Sequence, residues 1–229
     1  LNGIDPLLGL STDLWFLLYR LSQLPPRQSE IEAAEAENMH SYAFILRAEQ
    51  NSLLSALEFS LFDWKPRIPP RFRLVNATVI PKDAEAASHC PRVQAILHNA
   101  LSYRHSALVY LYRVGYKSPR DSIDVQTQAH QALLQCIKVI SSGGPVNALL
   151  WPLFVSACEA VTDEDRALAK QAFETLVTRQ CMMNIKRSWE VVQQVWTSPV
   201  QDKPAYGGID MTSPSGMTPS QADIGIVYG

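Results

Sequence analysis

Between Pro91 and Gly115, apolar residues recur along two faces of one helix, and this double pattern restricts the folds open to the chain. Leu101, His105, Leu108 and Tyr112 follow one another at spacings of four, three and four, and Tyr103, Ala107, Tyr110 and Val114 mark a second stripe. A helix apolar on more than one side must be surrounded, so this one is expected at the centre of a domain with other helices around it.

The remaining periodic segments supply the surrounding helices. Leu14, Trp15, Leu17, Leu18, Leu21 and Leu24 predict a helix over 12–24, with Ser11 as its N-cap and Pro25-Pro26 as its stop. From Glu30 to Leu61 there is no Gly or Pro, and Tyr42, Ile45, Leu46, Leu53, Leu57 and Leu61 lie along one side, which predicts one long amphipathic helix. The stretch "DWKPRIPPRFRLVNATVIPKD" holds four prolines and five basic residues and reads as a surface connection, with a short strand in "FRLVNATVI". Val125, Ala129, Ala132, Leu133, Cys136, Ile137 and Ile140 mark a further helix that ends at Gly143-Gly144. Leu168, Ala169, Ala172, Phe173, Leu176 and Val177 mark another, and Ile185, Trp189, Val192 and Trp196 the last. The fold class is all-α: a single domain of about seven helices over 1–197, followed by an irregular Gly/Pro/Ser-rich tail over 198–229. That tail either lies on the domain or acts as a lid, with Gly207-Gly208 as its switch segment.

The uncharged run from Val139 to Cys158 is as long as a membrane span, but "SSGGPVN" inside it prevents one continuous helix, so no span is expected. Its second half belongs to "LLWPLFVSACEAVTDEDR", residues 149–166, where Glu159 interrupts an apolar helix. A buried carboxylate without a partner costs several kcal/mol, so Glu159 is expected in a structural ion pair with Arg104, Arg113 or Arg166. Asp163 follows one turn later on the same line, but no second acid shares the stripe within reach, which argues against general acid/base chemistry. Thr162 spaced three before Asp165 resembles a capping box, and it places Asp163, Glu164 and Asp165 in the first turn of a new helix, where the dipole favours negative charge. An all-α magnesium-dependent isoprenoid-type enzyme would instead need carboxylates one turn apart on one face.

Other chemistry is weakly represented. His98 and His105 stand two turns apart, too far to share one metal easily, and His105 on its stripe reads as a hydrogen-bonded core histidine. There is no glycine-flanked nucleophile turn and no phosphate-cradling loop. Cys90, Cys136, Cys158 and Cys181 stand far apart in sequence and read as reduced thiols. No catalytic residue, metal site or cofactor is assigned. Aromatic and soft side chains on facing helices instead suggest an apolar pocket, with Tyr112, Trp151, Phe154, Cys158, Met183 and Trp189 as candidate ligand-binding residues. Core packing is the alternative for each of them. The formal charge of -2 offers no footprint for nucleic acid, and 18% charged residues is low enough to suggest a surface that meets a partner.

Three stretches carry a resemblance. "DPLLGLSTDLWFLLYRLSQL" at 5–24, "YRHSALVYLYRVGYKSPRDSIDVQ" at 103–126 and "LLWPLFVSACEAVTDEDR" at 149–166 resemble the C-terminal regulatory domain of fungal zinc binuclear-cluster transcription factors. The resemblance implies an all-α regulatory domain of a nuclear, six-cysteine transcription factor. Its zinc would lie only in an N-terminal DNA-binding module, and a chain opening on Leu1 with no leader suits a piece of such a protein. Some members of that family are regulated by sterols or other small molecules bound in the helical domain. The expected partners are therefore an apolar effector such as a sterol or other lipid, a second copy in a homodimer, and transcriptional co-regulators. No nucleic-acid contact by this segment is expected. A helical interaction scaffold without ligand is the alternative.

Overall fold

The structure is a computed structural model and describes residues 12–144, 146–180, 182–198 and 204–206. Ser11, Cys181, Gly207-Gly208 and the rest of the tail lie outside the described residues. Eight α-helices and one β-hairpin appear among those described: α1 (Thr12–Ser22), α2 (Leu24–Ala36), α3 (His40–Asp63), β1 (Phe72–Val75), β2 (Thr78–Pro81), α4 (Ala84–Tyr110), α5 (Ile123–Ser141), α6 (Leu150–Glu159), α7 (Asp163–Arg179) and α8 (Met183–Thr197). The domain is all-α apart from the hairpin, as the periodicity predicts. No helix among the described residues is long and apolar enough to cross a membrane.

Leu14, Leu18 and Leu21 bury one side of α1, at spacings of four and three. Pro25-Pro26, expected to stop that helix, instead occupies the first positions of α2, with only Gln23 between the two helices. Proline there loses no hydrogen bond, and its fixed φ suits a helix start. The long helix expected over 30–61 is also divided. Asn38 takes φ 60, its N–H donates to the Glu35 carbonyl at 3.0 Å, and the Met39 N–H donates to the Ala34 carbonyl at 2.9 Å. Those bonds form a Schellman ending, for which asparagine is one of the few side-chain-bearing residues that accept the left-handed backbone. The chain then reverses, and α3 runs back along α2, tied by Arg27–Glu49 at 2.8 Å and Tyr42–Glu30 at 2.8 Å.

The proline-rich connection holds two strands, not one. β1 and β2 pair antiparallel with Phe72 opposite Pro81 and Val75 opposite Thr78, closed by Asn76 at φ 49 and Ala77 at φ 60. Two positive-φ residues are what a type I′ hairpin turn requires. The hairpin buries Phe72 and Val79 against Val93, Ile96 and Leu97 of α4. Its edge is held by Gln94, whose Oε1 accepts from the Val79 N–H at 2.6 Å.

Helix α4 begins seven residues earlier than Pro91 because Asp83 caps it, its Oδ1 accepting from the Ala86 N–H at 2.7 Å. The helix is buried on most sides and packs along α5 and α6, which confirms the central position predicted from its two stripes. Its last turn widens into a π-helical turn over Leu111–Gly115, where the Tyr116 N–H donates to the Leu111 carbonyl at 3.0 Å. Gly115 leaves room there for Leu54, whose Cδ2 would lie 2.5 Å from a Cβ at this position and would have to shift. The uncharged run 139–158 becomes the end of α5, a 3-10 turn at Val146–Ala148, and α6. All ten residues of α6 are buried.

Candidate functional site

Glu159 is the last residue of α6, fully buried, and its carboxylate sits at the negative end of that helix. Offsetting that placement are two guanidiniums. Arg113 donates from Nε to Glu159 Oε2 at 2.9 Å, and Arg120 Nε stands 3.4 Å from the same oxygen. The wide turn after α4 brings Arg113 here, and its Nη1 also donates to the Ser118 carbonyl. Gln126 at the start of α5 donates to the Glu159 carbonyl at 2.8 Å and the Arg120 carbonyl at 2.6 Å, locking the two loops together. The other carboxylate oxygen, Oε1, accepts from the phenol of Tyr206 at 2.6 Å. Tyr206 comes from beyond α8 and is itself fully buried, with its ring 5.8 Å from that of Tyr110. Burial and the adjacent Glu159 carboxylate hold the Tyr206 hydroxyl well above the ordinary phenol range, and the same two causes raise the Cys158 thiol. Both groups are therefore neutral and unreactive at neutral pH.

Of the three arginines named from sequence, the structure puts Arg113 on Glu159. Arg104 instead donates to the Leu61 carbonyl at 2.7 Å and the Phe62 carbonyl at 3.0 Å, tying α4 to the end of α3. Arg166 lies 5.4 Å over the Trp196 ring. Arg120 and Tyr206 were not foreseen. Tyr206 did carry a signal, being, with Tyr228, one of the two aromatic residues in the tail.

The six pocket candidates do not converge on one cavity. Trp151, Phe154 and Cys158 are core residues of α6, with Trp151 stacked 5.5 Å from Tyr103. Trp189 packs between Phe173 at 5.1 Å and Trp196 at 5.4 Å. Tyr112 donates to Glu58 Oε1 at 3.0 Å on the α3 side, and Met183 is 63% exposed.

Two concavities lie elsewhere, and none of the six lines either. One, of about 490 Å³, runs between α1 and α3 over Phe16, Leu17, Ala56, Phe59 and Trp64, with Asp13, Arg20, Asp63 and Lys65 at its edges. Of its lining residues Phe16 is 58% and Phe59 73% exposed, and α1 and α3 also expose Trp15, Tyr19 and Phe62. The other, of about 400 Å³, is bordered by His130, Glu164 and Asp165. There Thr162 Oγ1 accepts from the Asp165 N–H at 3.1 Å as the spacing predicts. The Asp165 carboxylate meets the Thr162 hydroxyl at 2.9 Å and His130 Nδ1 at 2.6 Å and does not return to the backbone. No group of three His, Cys, Asp or Glu side chains among the described residues is arranged to hold a metal. His105 Nδ1 bonds Gln128 Oε1 at 2.7 Å, and His98 Nδ1 bonds Gln135 Oε1 at 2.7 Å.

Residues 1–202 match the family described as fungal specific transcription factor domain. An uncharacterized transcriptional regulatory protein of Schizosaccharomyces pombe is 27% identical over 94 residues, which cover 41% of this chain and 18% of that protein's length. No solved structure matches the chain.

Proposed function

The chain belongs to the fungal specific transcription factor domain family, and from that premise we propose that it is a regulatory domain acting through self-association on its α1–α3 face. Transcription regulation is the activity of this family, which points away from catalysis. In this reading the protein works in the nucleus with transcriptional co-regulators, and DNA is read by a six-cysteine zinc cluster outside this chain. The residues present here do not fit such a cluster: Cys136 and Cys158 are buried, Cys90 donates to the Val79 carbonyl at 3.1 Å, and the described residues hold no metal-binding group.

One observation carries the self-association reading, namely the exposed pair Phe16 and Phe59 lining the α1–α3 groove. Exposed apolar grooves are uncommon on monomeric surfaces, and aromatic anchors are enriched where proteins meet. The rim carries both signs, with Asp13 bonded to Arg67 at 2.7 Å and Arg20 lying 5.1 Å over the Phe16 ring. A two-fold contact sets such a patch against itself, and a mixed rim allows this without net repulsion. Sedimentation of the wild-type chain and of Phe16→Glu/Phe59→Glu tests it. The wild type is expected to approach twice the monomer mass as concentration rises, and the variant to stay monomeric with unchanged helical circular dichroism. A wild type that stays monomeric up to its solubility limit refutes it.

Effector binding is the second reading, favoured by the buried Glu159 slot that Tyr206 occupies. A ligand preferring one arrangement of the tail over another would shift the population that exposes or hides a partner surface.

A further inference from the structure

Past α8 the described segment Pro204–Tyr206 lies on the core, with Ala205 packed against it and the Tyr206 side chain fully buried. Among the described residues no backbone hydrogen bond ties these three residues to the domain. Tyr206 lays its ring against that of Tyr110, at 5.8 Å between centroids and 35° between planes, and its hydroxyl reaches Glu159 Oε1 at 2.6 Å. Residues of α4, α5, α6 and the loop after α4 line the receiving slot. Arg113 and Arg120 take Glu159 Oε2, Ser118 and Gln126 anchor the loops that carry them, and Oε1 is left directed at the phenol. No other donor to Oε1 appears among the described residues. A buried carboxylate oxygen demands a hydrogen-bond donor, and an O–H to carboxylate bond is among the stronger ones available. The apolar walls, by contrast, ask only for a flat ring. Tyr110 adds a hydroxyl that is buried and without a hydrogen-bond partner among the described residues.

We propose that the slot formed by Glu159, Arg113 and Tyr110 is a binding site for a hydroxyaryl group, filled in the resting chain by its own Tyr206 and taken by a phenolic ligand that displaces it. This deepens the effector reading, rests on it, and is separate from self-association on α1–α3. The ligand class follows from two requirements acting together. An aliphatic alcohol supplies the donor but not the ring that faces Tyr110, and an unsubstituted arene supplies the ring but leaves Glu159 Oε1 without a donor. Displacement takes the Tyr206 side chain out of contact with Tyr110 and Glu159.

The test uses p-cresol, which is the tyrosine side chain cut from its backbone, with toluene and cyclohexanol as the two incomplete probes. In Tyr206→Gly of the full chain, p-cresol is expected to raise the thermal midpoint in proportion to the logarithm of its concentration above its Kd, as a ligand specific for the folded state does, and the other two are not. The proposal is overturned if toluene or cyclohexanol stabilises as well as p-cresol, or if none of the three does. Should Tyr206→Gly fail to fold, fluorine NMR of the wild-type chain carrying 3-fluorotyrosine, with Tyr206→Phe identifying the Tyr206 resonance, decides. Saturating p-cresol is then expected to move that resonance to the position of solvent-exposed fluorotyrosine, with toluene inert, and an unmoved resonance overturns it. Wild-type sedimentation measured in parallel separates failure here from failure of the self-association reading.

Discussion

Replacing Glu159 by glutamine keeps the shape of the side chain and removes its charge, so it isolates the electrostatic part of the buried cluster. The Arg113 and Glu159 side chains are 1% and 0% exposed and 2.9 Å apart. Either orientation of the new amide leaves the Arg113 guanidinium facing a neutral group in a dry interior. Removing one partner of such a pair costs about 3–5 kcal/mol, because the desolvated charge left behind loses its counter-charge at this contact. A domain of this size loses roughly 2–4 °C in Tm per kcal/mol, so Glu159→Gln should melt about 6–20 °C below the wild type. Arg113→Met should cost less than Glu159→Leu, since it leaves the carboxylate with Arg120 at 3.4 Å and Tyr206 at 2.6 Å, whereas Glu159→Leu takes the carboxylate away from both guanidiniums at once. The double variant Glu159→Leu/Arg113→Met should cost clearly less than the sum of the singles, with a coupling of about 0.5–3 kcal/mol. Urea titrations followed by circular dichroism supply all four values. A Glu159→Gln cost below about 1 kcal/mol, which is the worth of a solvent-exposed pair, or an additive double variant, would show that water reaches the cluster and that the argument is wrong.

Two further outcomes follow from local geometry. Ala77 sits at φ 60 in the hairpin turn, a conformation that costs a residue with a Cβ about 1–2 kcal/mol. Ala77→Gly should therefore stabilise by about 0.5–1 kcal/mol net of glycine's larger unfolded entropy, read as a higher urea midpoint at unchanged slope; a lower midpoint would contradict the turn assignment. His98 and His105 are both pushed below the ordinary histidine value of 6.5, chiefly by burial. The unfolded chain then binds more protons than the folded one below that value, so stability is full above pH 6.5 and falls as pH drops through the folded values. Urea midpoints from pH 7.5 to 5 should decline, and less steeply in His98→Gln/His105→Gln; identical slopes would show that other groups carry the acid sensitivity.

Much of the architecture was readable one residue at a time. The two stripes of α4, the four-three-four spacing of α8 and the Thr162 cap of α7 are local patterns, and each reappears in three dimensions. The misreadings fell where one local signal serves two purposes. Pro25-Pro26 obeys the same chemistry whether it ends α1 or opens α2, and only the packing of α2 back onto α3 selects the second. Asn38 looks ordinary within a Glu- and Ala-rich run, because a left-handed residue leaves no mark on periodicity. The stretch "FRLVNATVI", read as one strand, holds both strands of a hairpin, since pairing within so short a stretch depends on a turn that Asn76 and Ala77 allow but do not announce.

The candidate site divides in the same way. That Glu159 must be compensated follows from sequence, because a carboxylate inside an apolar helix has no tolerable unpaired state. Which cation compensates it does not, since Arg104, Arg113 and Arg166 are all near enough along the chain to be considered. The choice rests on the widened turn after α4, which aims Arg113 inward while Arg104, two turns earlier, faces the end of α3. The pairing of Tyr206 with Glu159 spans 47 residues of sequence separation, and no periodicity links a tail to a helix end. Composition and spacing thus determined that this chain buries a helical core with few charges inside it. Tertiary packing decided which side chains meet across that core, because burial is a property of a segment's own pattern while a hydrogen-bond partner is set by where another segment happens to lie.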